Sequence, residues 1–262
     1  MTSHRPHRLS PAYPFLDWPG PVPFAHRGGG REHPENTMRA FEHAVGLGYR
    51  YLETDVQATA DGVPVVFHDH ALDRVTDRTG DISQLPWSEV QKARVAGTEP
   101  IPLLEDLLGA WPEMRVNIEP KRDESVGPLV DVIRRTAAID RVCLGAFSDR
   151  RLARLRAELG PRLCTSLGPR GLFRLRLASF GAAAGHLPAA CAQVPTRYRG
   201  VRVIDPCFVR AAHRRGIAVH VWTIDDADEM HRLLDLGVDG LMTDRPTVLR
   251  RVLEERGEWV AT

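Results

Sequence analysis

The chain has 262 residues, of which 43% are hydrophobic and 26% charged, ordinary values for a soluble globular domain and enough chain for one large α/β barrel. Its formal net charge of +1 offers no overall field to draw in nucleic acid or an anionic membrane. The cations are almost all arginine, with Lys92 and Lys121 the only lysines, and the arginine-rich run from Arg150 to Arg176 reads as a solvated helix face.

Residues 1–21 are Pro-rich and polar and read as an irregular lead-in without the apolar core of a signal peptide, which predicts a cytoplasmic protein. A strand is expected at 22–28, then a helix at about 35–47 with Glu35 or Asn36 capping its start and Gly48 ending it. Strand-like runs at 51–59 and 63–68 are joined by Asp61-Gly62. A connection that short forms an antiparallel hairpin, because a parallel crossover needs about a dozen residues or more. A polar segment at 69–100 reads as an insertion, followed by a helix at 103–111.

From there strands are expected at 115–121, 142–148, 162–167, 191–195, 218–224 and 240–243. They alternate with helices at about 126–138, 149–159, 171–180, 206–215, 227–236 and 246–256. With 63–68 counted as the return arm of a hairpin, the barrel strands number eight. The expected fold is a single (β/α)₈ TIM barrel over 22–262 with a small insertion after the second strand. Leu177 to Thr196 contains no Asp, Glu, Lys or Arg. Its glycines and prolines argue against a membrane span, so it reads as a helix end, a loop and a strand. Cys143, Cys164, Cys191 and Cys207 lack disulfide or metal spacing and are expected to be buried free thiols.

Barrel chemistry collects at the C-terminal ends of strands. Here those ends carry His26-Arg27-Gly28, Glu53-Thr54-Asp55, Glu119-Pro120-Lys121, Trp222-Thr223 and Thr243-Asp244. Glu53 and Asp55, two apart on a strand, face the same way and repel unless a cation or proton neutralises them. With Glu119 they form an oxygen donor set suited to Mg²⁺ or Ca²⁺; ordinary pairing with arginines is the bland alternative. Reflection about the Asp61-Gly62 turn brings His68 back near Thr54, over these carboxylates, while His26 arrives from the first strand. Either histidine alone has an ordinary structural reading, and zinc ligation is a competing functional one. Their convergence favours acid and base roles, as phosphodiester cleavage requires. Arg27 and Lys121 supply charge for phosphate oxygens. The Gly28-Gly29-Gly30 run permits close backbone approach to a ligand, which by itself says little. Trp222 reads equally as pocket rim or as packing under a helix, and Asp244 reads as a cap of the last helix.

Ala25-His26-Arg27-Gly28, Pro34-Glu35-Asn36-Thr37, Glu53-Thr54-Asp55-Val56 and His68-Asp69 occur in the order found in the glycerophosphodiester phosphodiesterase family. So do Leu72-Asp73-Arg74, Asn117-Ile118-Glu119-Pro120-Lys121, Val221-Trp222-Thr223 and Thr243-Asp244-Arg245-Pro246. The chain resembles that family from Phe24 to about Leu253. The resemblance implies one divalent ion, Mg²⁺ or Ca²⁺, on Glu53, Asp55 and Glu119. It also implies His26 and His68 as acid and base, Arg27 and Lys121 on the phosphate, Trp222 at the rim, and Glu35 and Asn36 as supporting partners of the metal site. The implied reaction yields glycerol 3-phosphate and an alcohol from a glycerophosphodiester, a small-molecule partner. Asp225-Asp226 departs from the pattern where Asn is common, which unsettles contacts near Trp222. Rival readings are a lysophospholipase D-type hydrolase using Leu172–Ala184 as an acyl-accepting rim, a non-catalytic phosphodiester-binding barrel, and a Schiff-base enzyme on Lys121.

Overall fold

The protein is known from a computed structural model that describes residues 13–260. Eight strands form its centre: β1 Val22–Ala25, β2 Tyr51–Ala58, β3 Arg115–Pro120, β4 Val142–Leu144, β5 Cys164–Thr165, β6 Cys191–Pro195, β7 Ala218–Trp222 and β8 Gly240–Thr243. They pair in parallel in the order β5-β4-β3-β2-β1-β8-β7-β6. A parallel bridge from Ser166 to Cys191 joins the two ends, so the barrel is nearly closed. Burial on both faces explains why β1, β2 and β8 read as continuous buried runs rather than alternating ones. β5 is shorter than the expected 162–167. Its ladder continues as isolated bonds, Ser166 N–H to Leu144 O and Leu167 N–H to Cys191 O.

Outside the barrel lie α1 Met38–Gly46, α2 Leu104–Ala110, α3 Val126–Arg135, α4 Asp149–Leu159, α5 Pro169–Ala178, α6 Pro206–His213, α7 Ala227–Asp235 and α8 Pro246–Glu255. α1 begins three residues later than expected. Neither Glu35 nor Asn36 caps it; Thr37 does, its hydroxyl accepting from the Ala40 N–H. The hairpin is present: Val56 pairs with Val66, Gln57 with Val65 and Ala58 with Pro64 in antiparallel register. Extending that register sets His68 opposite Thr54, and the Phe67 N–H donates to the Asp55 carbonyl. The following segment holds a small core of its own, including Val65, Phe67, Leu72, Ile82, Val90 and Ala93.

The lead-in departs from its expected irregularity over its described part; residues 1–12 lie outside the described residues. Pro14–Leu16 forms one 3₁₀ turn that puts Phe15, fully buried, 5.3 Å edge-on from the Tyr51 ring. The Tyr51 hydroxyl donates to the Phe15 carbonyl at 2.6 Å, and Arg115 donates to Asp17 O and to the Tyr51 hydroxyl. This turn packs with Val22, Phe24, Cys143, Cys164, Cys191 and Met242 in the barrel interior. Three of the four thiols are buried and free as expected; Cys207 is exposed, because it sits on the outer face of the first turn of α6. Among the described residues no helix is long and apolar enough to cross a membrane.

Candidate active site

β1 runs into a tight turn, His26–Gly28, whose geometry is set by packing. Gly28 has φ +80, and a Cβ there would stand 2.8 Å from Ala40 Cβ; a Cβ on Gly29 would stand 2.7 Å from Pro246. These two glycines therefore serve the approach of α1 and α8 rather than of a ligand. Arg27 adopts φ 51, a left-handed conformation that costs a non-glycine residue about 1 kcal/mol. It is held there by its own backbone: the Arg27 N–H donates to Glu53 Oε2 at 3.0 Å, and its carbonyl accepts from the Asn36 N–H.

The turn delivers two side chains to a cavity of about 240 Å³ at the C-terminal mouth of the barrel. All eight residues expected there line it: His26, Arg27, Glu53, Asp55, His68, Glu119, Lys121 and Trp222. Glu53 and Asp55 are almost fully buried. Burial, with Asp55 adding to it against the opposing charges of His26 and Lys121, pushes the Glu53 carboxyl up to about 7. Burial would raise Asp55 too, but Lys121 and Arg27 outweigh it and hold that carboxyl below its ordinary value.

The two cations expected to meet a phosphate lie here against protein carboxylates. Lys121 Nζ lies 2.6 Å from Asp55 Oδ1 and 2.8 Å from Glu119 Oε2, so the ammonium bridges the carboxylates. Arg27 donates through Nη1 to Glu35 Oε1 at 3.0 Å, and its buried Nε lies 3.3 Å from Asp55 Oδ2, an ion pair without hydrogen-bond geometry. Glu53, Asp55 and Glu119 share the cavity, yet among the described residues no three acidic, imidazole or thiol groups converge as a ready cation cage. A long cationic side chain near paired carboxylates ion-pairs with them in preference to leaving them bare.

Both histidines are anchored through Nδ1. His26 Nδ1 lies 2.7 Å from Asp244 Oδ1, and His68 Nδ1 lies 2.6 Å from Asp69 Oδ1. Their Nε2 atoms are left for other work; that of His26 lies 3.8 Å from Glu53 Oε2. Burial works against charge on His26, but Glu53 and then Asp244 outweigh it, and the imidazole titrates above its ordinary value. Asp69 is in turn fixed by Arg74, whose guanidinium donates to both its oxygens and holds its pKa at about 2. Arg74 also grips Glu35 at 2.7 and 2.9 Å, tying the insertion to the β1 turn.

Asp244 is therefore no helix cap. Arg245 holds the cap position of α8, without a side-chain cap bond. Asn36, buried at φ 57, donates to Asp55 Oδ2 at 3.0 Å and accepts from the Thr54 hydroxyl. Asp225, at the point of departure from the family pattern, accepts from the Thr243 hydroxyl and the Asp244 N–H and pairs with Arg31. It braces the end of β8 rather than the pocket wall. Trp222 lines the cavity and meets Phe147 edge-on, ring centroids 5.8 Å apart. Sequence reasoning did not assign Asp69 and Asp244 to the histidines; their position beside or across from them at strand ends was the available signal. Phe147, an apolar residue with no chemistry of its own, gave none.

Comparison with known proteins points to one family. Residues 26–248 match the glycerophosphoryl diester phosphodiesterase family. A Mycobacterium tuberculosis protein named "Probable glycerophosphodiester phosphodiesterase 2" is 44% identical over 256 residues, covering 95% of this chain and 97% of its own. A solved structure from Silicibacter pomeroyi superposes with a TM-score of 0.80 at 24% identity, covering 95% of this chain and 100% of that one. An Oleispira antarctica phosphodiesterase in complex with the product sn-glycerol-3-phosphate has a TM-score of 0.77 at 25% identity, covering 90% and 97%.

Proposed function

The chain belongs to the glycerophosphoryl diester phosphodiesterase family, a family of phosphoric diester hydrolases, and we propose that it cleaves glycerophosphodiesters to glycerol 3-phosphate and an alcohol with His26 and His68 as its proton-transfer pair. The observation that carries this reading is the matched anchoring of the two imidazoles. Each gives Nδ1 to a carboxylate and keeps Nε2 for a proton at the reacting centre. One takes a proton from the attacking oxygen, either water or the neighbouring glycerol hydroxyl. That oxygen forms a bond to phosphorus as the bond to the departing alkoxide breaks, and the other imidazole protonates the alkoxide. Attack by the glycerol hydroxyl gives a cyclic phosphate, which water then opens.

The donor set fits a hard divalent ion, Mg²⁺ or Ca²⁺. Glu53, Asp55 and Glu119 offer only oxygen, and two of them are buried with more negative charge than Lys121 and Arg27 fully offset, since Arg27 also serves Glu35. Held by these three residues, such an ion supplies neutralisation of phosphoryl charge. Arg27 and Lys121, both lining the cavity beside Asp55, orient the phosphate, with Trp222 closing the rim.

Acid–base groups contribute about 10²–10⁴-fold each. Turnover of glycerophosphocholine should fall by that order in His26→Ala and in His68→Ala, with the fold intact by circular dichroism. EDTA should abolish it, and Mg²⁺ or Ca²⁺ should restore it. Undiminished turnover in both variants would end the proposal. A second reading, removal of a lysolipid head group, draws on the apolar wall of Leu167, Pro169, Leu172 and Phe147. Lysophosphatidylcholine turned over faster than glycerophosphocholine would select it.

A further inference from the structure

The near-neutral net charge conceals a segregated one. From Leu159 to Ile204 there is no Asp or Glu, while seven arginines fall in that span: Arg162, Arg170, Arg174, Arg176, Arg197, Arg199 and Arg202. Among the described residues only two of them pair with a carboxylate, Arg162 with Asp140 and Arg176 with Asp205. Others rest on backbone carbonyls or aromatic rings: Arg174 on Ala184 O, Arg197 on Gly200 O, and Arg199 over Tyr198. Arginines elsewhere among the described residues are mostly matched with carboxylates; here five of seven lack an ion-pair partner, although Arg202 stands near enough to Glu229 to lower its carboxyl, so the sector faces solvent with an excess of positive charge.

The same sector holds the exposed apolar surface. Among the described residues the large hydrophobic side chains exposed to solvent are Phe147, Phe173, Leu177, Phe180, Tyr198 and Val201. Phe147 follows β4, Phe173 lies near the start of α5 after β5, and Tyr198 and Val201 flank the tip of a two-stranded hairpin after β6. Because β4, β5 and β6 are neighbours in the ring, these segments follow three consecutive strands and lie on one arc of the mouth. Leu177 and Phe180 continue the patch along α5 and past its end, with Arg176 stacked over the Phe180 ring at 4.4 Å. The uncharged stretch from Leu177 to Thr196 is part of this surface.

A single exposed phenylalanine needs no explanation; six large apolar groups confined to one arc do. Aromatic anchors interleaved with unpaired arginines suit a surface that is apolar inside and anionic at its boundary. The anchors stand on a loop, on the outside of a helix and on a hairpin tip. A fluid surface accepts such separate anchors without a matching shape. The patch also runs into the cavity, since Phe147, Pro169 and Leu172 line both.

We propose that the β4–β6 arc is a docking surface for anionic lipid bilayers, through which the chain sits on a membrane with its cavity mouth at the lipid boundary. The proposal stands apart from the chemistry assigned to the cavity. The test is co-sedimentation of the full chain with vesicles of phosphatidylcholine alone and of phosphatidylcholine mixed with phosphatidylglycerol. Binding should appear on the anionic vesicles and weaken with salt. It should fall about tenfold or more in Phe173→Ser/Phe180→Ser. It should fall roughly fivefold for each of Arg170→Gln and Arg202→Gln. Glycerophosphocholine turnover, measured in parallel without vesicles, should stay at the wild-type level in all three variants. That parallel assay separates failure of docking from failure of the hydrolase reading. Equal binding by wild type and variants, or no binding to anionic vesicles, overturns the proposal. A wild-type dimer in solution that the phenylalanine substitutions dissolve also overturns it, by making the arc a self-interface.

Discussion

His26 Nδ1 and Asp244 Oδ1 meet at 2.7 Å across the join between β1 and β8, the first and last strands of the barrel. Strands separated by more than 200 residues are locked side by side here, through Phe24 opposite Met242 and Ala25 opposite Thr243. The carboxylate fixes which imidazole nitrogen carries the proton and so which one faces the cavity. Asp244→Asn should therefore lower kcat by about 10² while KM changes little, because an amide no longer favours one tautomer. Steady-state kinetics on glycerophosphocholine reads this directly. A KM effect alone would make Asp244 a structural partner only.

His68 depends on a longer chain of contacts through Asp69 to Arg74 and Glu35. Asp69→Asn should act like Asp244→Asn. Arg74→Ala, one contact further out and half-exposed, should cost only about tenfold. Equal losses in the two variants would mean that Arg74 does more than hold Asp69.

Lys121 bridges two carboxylates inside a buried site, and removing one partner of such a pair leaves charge stranded at a cost of about 3 kcal/mol or more. Lys121→Gln should melt well below wild type in EDTA. If a divalent ion belongs among Glu53, Asp55 and Glu119, added Mg²⁺ or Ca²⁺ should raise the variant's Tm by more than it raises that of the wild type. Identical cation responses in the two proteins would remove those carboxylates as ligands.

At the opposite end of the barrel, His213 Nε2 lies 2.7 Å from Asp239 Oδ2, which also accepts from the Val219 N–H. The bond to Asp239 raises the histidine's pKa above its ordinary value, against the opposing effect of burial. A raised folded-state value means the protonated pair stabilises fully below the unfolded pKa and is lost as pH climbs through the folded one. His213→Gln should thus cost about 1 kcal/mol at a pH below the unfolded histidine value of about 6.5 and less at an alkaline pH. Urea melts at the two pH values decide it; a penalty that grows with pH would contradict the assignment.

Phe15 should matter as much as any core residue although it lies outside the helices and strands of the barrel. Truncation of a fully buried phenylalanine costs about 3 kcal/mol or more, and for a chain of this size Phe15→Ala should lower Tm by about 10 °C. An unchanged melt would show that the barrel floor seals without it.

The barrel itself was legible because each strand is a short apolar run with a helical period after it, and the hairpin was legible because Asp61-Gly62 allows no longer connection. Reflection about that turn even set the height of His68 correctly. That the eight candidate residues would line one cavity was legible because strand ends in a parallel barrel converge on one mouth. What escaped was tertiary pairing. Nothing local separates an aspartate that caps a helix from one that reaches across to another strand, so from sequence Asp244 reads as a cap, whereas the structure sets it on His26. Strand-end spacing offers Lys121 and Arg27 to a phosphate but does not reveal the protein carboxylates that also lie against them. The lead-in around Phe15 lacked any periodicity to announce that it fills the barrel from below.

The return arm after β2 gives the two imidazoles different foundations. His26 extends from a strand of the closed ring, whereas His68 hangs from an arm outside it, backed by the separate apolar cluster of the 69–100 segment. Repacking that cluster would re-aim one half of the proposed proton-transfer pair and leave the other half, and the ring, undisturbed. New leaving groups are thus within reach of changes in a satellite too small to threaten the main body of the molecule.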